Sequence, residues 1–165
     1  MPSPISFVEA MRGWLRSADG DELPVSFELV ALRMHHARFE VRGVIAAPPL
    51  VRETPARGTL ELGLSRLAYH LDFVGADGQP LHLDAVKHPS LRSPVLSMTR
   101  MQARILDASG TTVASGEMRF ALEDLPAFVL SWLPGSQSRH GQRQLETRRR
   151  GLERRALTAP EGVMR

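Results

Sequence analysis

The sequence predicts a mainly β fold: an antiparallel meander of about seven or eight strands, closed into a barrel or folded into a sandwich, with one amphipathic helix after the strands. Three observations carry this expectation. From Leu67 to Asp84 apolar and polar residues alternate with a period of two on both sides of a Gly-Ala-Asp-Gly interruption. Similar alternating stretches recur along the chain, most of them joined by short turns rich in Gly, Pro and Asp. Helical spacing replaces the alternation only after Phe120.

The Leu67 to Asp84 stretch reads as a β-hairpin whose register can be argued. A two-residue Asp77-Gly78 turn would set Phe73 opposite His82 and send the two apolar rows to opposite faces, where both cannot be buried. A three-residue Ala76-Asp77-Gly78 loop, with Gly78 supplying a positive φ, pairs Phe73 with Leu81 and Leu71 with Leu83. The same register sets His70 opposite Asp84 and Asp72 opposite His82 on the outer face.

Taken in order, Ile5 to Leu15 carries conflicting signals. Ser6-Phe7-Val8-Glu9 fits a capping box and the alternation around it is poor, so local signals favour a helix. Ser17 to Glu22, with Asp19-Gly20, is a turn. Pro24 to Leu32 alternates cleanly and reads as a strand, Arg33 to Ala37 as a short connection holding His35 and His36, and Arg38 to about Ala46 as the next strand. Pro48-Pro49 ends that strand, because neither residue can donate to a ladder. Thr54 to Arg57 reads as loop and Gly58 to Leu64 as a strand with Leu60, Leu62 and Leu64 in step.

Beyond the hairpin, Lys87 to Pro94 reads as loop. Val95 to Leu106 and Thr111 to Phe120 form a second hairpin around Asp107-Ala-Ser-Gly, and Gly116 marks a bulge or a close neighbour. Asp124 as N-cap, Pro126 in the first turn, and Leu125, Phe128, Val129 and Trp132 at helical spacing predict a helix ending near Pro134-Gly135. Residues 1–134 thus read as one β-rich domain ending in that helix, and 135–165 as an Arg-rich tail, helical or disordered.

Composition narrows the chemistry. No cysteine is present, which excludes disulfides, thiolate catalysis and cysteine-bound zinc. No apolar run approaches membrane-spanning length, so no transmembrane segment is expected. The N-terminus shows no basic stretch leading into an apolar one, and a cytoplasmic location is the expectation. Basicity is local: from Gly135 onward eight arginines face three glutamates, so of the formal charge of +3 the tail holds +5 and residues 1–134 hold -2. Lys87 is the sole lysine among 21 basic residues, which reads as a compositional bias of the source genome. The tail has no interleaved aromatics on which bases could stack, so nucleic acid is not an expected partner.

Neither a Gly-x-Ser-x-Gly elbow nor a glycine-rich phosphate loop is present, and no cofactor is expected. His70, Asp72, His82 and Asp84 form the one constellation of ligand-type residues. Directly opposed side chains on a sheet stand parallel and point to water, so the patch reads as a polar outer face, not a metal site. The inner rows, with Phe27, Tyr69, Leu71, Phe73, Leu81 and Leu83, read as a packed core. In a closed lipocalin-like barrel they could instead line a cavity for one small apolar ligand.

Several segments taken together carry a resemblance: Phe7-Val-Glu-Ala-Met-Arg-Gly13, Pro24-Val-Ser-Phe-Glu-Leu, Phe39-Glu-Val-Arg-Gly-Val, Gly58-Thr-Leu-Glu-Leu, Leu71-Asp-Phe-Val-Gly-Ala-Asp-Gly and Gly116-Glu-Met-Arg-Phe. In this order they resemble a β-rich accessory domain that accompanies bacterial flavin-dependent oxidoreductases of the GMC type, the cholesterol-oxidase-like enzymes. The likeness spans about residues 5–132. It implies that the first segment is a strand, against its local helical signal. It also implies a noncatalytic module working beside a separately encoded oxidoreductase or hydrolase that acts on sterol-like or lipid substrates. The flavin-binding Gly-x-Gly-x-x-Gly is absent, so no oxidoreductase activity and no catalytic residue carry over. The alternative expectation is a carrier holding an apolar ligand in its own barrel.

Overall fold

The structure, a computed structural model, describes residues 6–35, 37–90, 92, 97, 99–120, 150, 151 and 154. Eight strands form a closed antiparallel barrel in which each strand pairs with its neighbours in sequence and the last pairs with the first. They are β1 (Ser6–Ser17), β2 (Glu22–His35), β3 (Arg38–Ala47), β4 (Val51–Leu62), β5 (Leu67–Val74), β6 (Pro80–Lys87), β7 (Arg100–Asp107) and β8 (Thr112–Phe120). Closure settles barrel against sandwich and leaves no continuous free edge.

The register of the β5–β6 hairpin follows the sequence argument. Phe73 pairs with Leu81, Leu71 with Leu83, His70 with Asp84 and Asp72 with His82. Gly75 N–H donates to the Gln79 carbonyl at 2.9 Å and closes the loop around Ala76, Asp77 and Gly78, where Gly78 takes φ of +80°. That conformation costs a residue with a Cβ steric energy and costs glycine none.

Four expectations need correction. The strand β2 runs on to His35, so the Arg33 to Ala37 connection shrinks to residues 36 and 37. Thr54 to Arg57 is not loop but part of β4. Pro55 is tolerated there because β5 reaches only as far as Arg57, so Pro55 has a ladder partner, Val44, on one side alone. Leu64 is not in the strand; β4 stops at Leu62 and Leu64 stands fully exposed in the turn to β5. Lys87 belongs to the end of β6, and Ser97 and Thr99 are helical, so β7 begins only at Arg100.

The first segment is a strand despite its capping-box signal, paired to β2 from Ser6 to Arg16 and to β8 from Met11 to Ser17. Tertiary pairing on two edges outweighs a single local cap. Gly116 marks a close neighbour: it faces Leu15 across the seam, and a Cβ there would lie 2.6 Å from the Trp14 carbonyl oxygen. The helix expected over Leu125 to Trp132 lies outside the described residues, as does His36. In the tail Arg150, Gly151 and Arg154 are helical and exposed.

The core sits inside the barrel. Every second residue of each strand points in, and Met11, Leu15, Ile45, Leu83, Ile105 and Met118 expose no surface to water, either outward or in an internal void of water size. The turns after β1, β3, β5 and β7 gather at one end; those after β2 and β4, with the end of β6 and the start of β7, lie at the other. No helix among the described residues is long and apolar enough to cross a membrane.

Candidate functional site

Two polar constellations stand out, one outside the barrel wall and one within it. On the outer face of β5 and β6, a carboxylate can only accept, so each histidine Nδ1 must carry the proton and donate. His70 donates to Asp84 Oδ1 at 2.8 Å and His82 to Asp72 Oδ1 at 2.5 Å. Arg104 of β7 adds a longer contact to Asp84 Oδ2 at 3.3 Å. Partial burial pushes the Asp84 carboxyl up, but the hydrogen bonds and charges of His70 and Arg104 outweigh it and hold the group below its ordinary value. The four residues expected to cluster do so, as two cross-strand pairs whose side chains are between 26% and 66% exposed. No group of three or more metal-ligand residues converges among the described residues.

The second constellation was not anticipated. Glu9 of β1, Tyr69 of β5 and Lys87 of β6 meet inside the barrel and are at most 2% exposed. Tyr69 Oη donates to Glu9 Oε2 at 2.5 Å, and Lys87 Nζ donates to Glu9 Oε1. The ammonium also lies 5.2 Å from the centroid of the Tyr69 ring, within cation–π reach. In the strand order β5 is four places from β1 in either direction, so the contacts span the barrel from wall to wall. Phe27 packs on Tyr69 with ring centroids 6.2 Å apart and reinforces the same crossing.

The position of these three residues follows from the strand pattern. Glu9 shares its inward row with Met11 and Leu15 near the start of β1; Tyr69 shares one with Leu71 and Phe73 near the start of β5; Lys87 ends the inward row of Leu81, Leu83 and Ala85. All three therefore lie toward the end at which β1 and β5 begin and β6 finishes. Thr99 is buried in the connection between β6 and β7, and the Ser90 N–H donates to Ser97 Oγ at 2.8 Å within it.

Chemically the trio is satisfied. Each carboxylate oxygen of Glu9 takes one donor, and no buried side-chain nitrogen or oxygen among the described residues lacks a partner. Burial, and then the negative charge and hydrogen bond of Glu9, raise the Tyr69 hydroxyl well above its ordinary value of 10.0, so it stays a proton donor. The expected apolar lining residues Phe27, Tyr69, Leu71, Phe73, Leu81 and Leu83 all face inward and belong to a single core cluster.

Sequence reasoning found Tyr69 as an inward residue and missed both of its partners. Glu9 reads locally as half of a helix cap, and Lys87 as the first residue of a loop. One signal was available: in a chain that otherwise uses only arginine as its strong base, the single lysine occupies the barrel interior. A compact ammonium with three donors is easier to satisfy there than a planar fork with five. Comparison with protein-family models, with curated proteins and with solved structures finds no match to this chain.

Proposed function

We propose that this barrel is a noncatalytic binding module that works beside a separately encoded flavin-dependent oxidoreductase or hydrolase acting on sterol-like or lipid substrates. The observation that carries the reading is that the buried polar side chains of the interior already have protein partners. Glu9, Tyr69 and Lys87 are buried and mutually bonded, and the apolar rows around them leave recognition to the outer surface. The resemblance of the ordered segments from Phe7-Val-Glu-Ala-Met to Gly116-Glu-Met-Arg-Phe supplies the class of partner to test first.

The test is affinity capture by the full chain from cells of its source, followed by flavin absorbance of the eluate and assay of sterol oxidation with and without added barrel. A stoichiometric complex with a flavoprotein or lipid hydrolase whose turnover or substrate affinity changes on binding is the expected result. Turnover of such substrates by the chain alone would overturn the reading. Saturable uptake of a fluorescent fatty acid by the barrel alone would favour a carrier instead.

A further inference from the structure

The outer face of β1 to β4 carries a groove of about 360 Å³ whose shape follows from side-chain size. Arg12 and Trp14 are consecutive outward positions of β1; their partners on β2 are Ser26 and Pro24, and Ser26 in turn pairs with Ala46 on β3. Small residues in the middle of the face leave a floor. Arg12 and Trp14 form one side of it, Pro48 and Arg52 the other.

Trp14 is 60% exposed, an unusual cost for the largest apolar side chain. Six other barrel arginines, at positions 16, 38, 42, 100, 104 and 119, each lie within 4.0 Å of a carboxylate. Arg12 and Arg52 have no such partner among the described residues, a state they share with Arg57 of β4 and Arg66 in the turn before β5, but only these two line the groove. Glu117, across the seam from Trp14, is already engaged by Arg119 at 3.2 Å. No carboxylate and no lysine line the groove, and tryptophan with arginine is the pairing that dominates protein-binding hot spots.

We propose that this groove docks an acidic segment of a partner protein, with an apolar side chain seated on Trp14 and carboxylates meeting Arg12 and Arg52. The inference rests on the binding-module reading and names its surface. Charge selects the occupant, since two guanidiniums without a carboxylate partner among the described residues flank an indole, and no acid lines the groove. The groove is not an enclosed cavity and its lining comes from four successive strands, which suits a chain segment better than a buried small molecule.

The test is titration of the full chain with octapeptides of Asp and Glu carrying a central Leu, Phe or Pro, read at the Trp14 indole N–H signal in NMR and assigned with W14F. At least one acidic peptide is expected to shift that signal and to bind about tenfold more tightly than its Asn/Gln counterpart, an advantage that fades with added salt. The R12E/R52E variant, checked for an unchanged melting temperature, is expected to lose the acidic peptide and to gain its lysine-containing analogue. An indole signal unmoved by every acidic peptide, or moved equally by the neutral ones, overturns the proposal. So does a flavoprotein complex that R12E/R52E forms as well as the wild type. Acidic peptides that bind while no enzyme partner is captured would sustain the groove and count against the module reading alone.

Discussion

The two polar clusters use the same chemistry in opposite surroundings. Outside, His70 with Asp84 and His82 with Asp72 are neighbours across one hairpin, standing in water. Inside, Glu9 and Lys87 come from positions 78 residues apart and meet with almost no exposure. Water makes the first set nearly interchangeable with any other polar residues, because each group has a solvent alternative. Its absence makes the second set interdependent, because a partner removed leaves a charge with nowhere to go.

The largest effect that would sharpen this contrast comes from breaking the interior pair. Glu9→Ala, or Lys87→Ala, is expected to cost about 3–5 kcal/mol in urea unfolding, since each strands the other charge. Replacing both together by apolar residues of similar volume, Glu9→Leu with Lys87→Met, is expected to recover most of that loss. A double variant as unstable as the singles would mean that the pair contributes more than mutual neutralisation.

A smaller effect isolates the hydroxyl. Tyr69→Phe removes a hydrogen bond to a charged group and is expected to cost about 1.5–3 kcal/mol. Tyr69 is also the sole tyrosine, so alkaline titration reads it directly. Its folded value is raised, so its contribution is complete below the unfolded value of 10.0 and drains away as pH climbs from there toward the folded one. Phenolate absorbance should therefore appear together with loss of the barrel signal in circular dichroism. Phenolate forming in the intact barrel near pH 10 would contradict the buried hydrogen bond to Glu9.

The smallest effects belong to the outer face. Asp84→Ala is expected to change stability by less than about 1 kcal/mol and to matter less as salt is added. Because the folded Asp84 carboxyl sits below its ordinary value of 3.8, its contribution is complete above that value and is lost as pH falls through the lower folded one. An Asp84→Ala loss as large as that of Glu9→Ala would erase the distinction between the two clusters.

The same contrast explains what the sequence discloses. The β5–β6 register was legible because a period of two, a glycine turn and the need to bury both apolar rows leave one consistent pairing, and the outer His/Asp pairs follow from it at no further assumption. The interior trio was not legible, because which inward residues meet across a barrel depends on how many strands close it, a property of the whole ring. Thr54 to Arg57 holds a proline and is strand all the same, because Pro55 has a ladder partner on one side alone. At Ser6–Ser17 the local cap signal lost to a strand paired on both sides.

The placement of Lys87 gives the folded chain a practical property. With its only ε-amine 1% exposed, the closed barrel offers amine-selective reagents no lysine target, while an opened one offers a single lysine. Modification of that position, followed over time by mass spectrometry of its peptide, would count how often the molecule opens and so turn a buried charge into a clock.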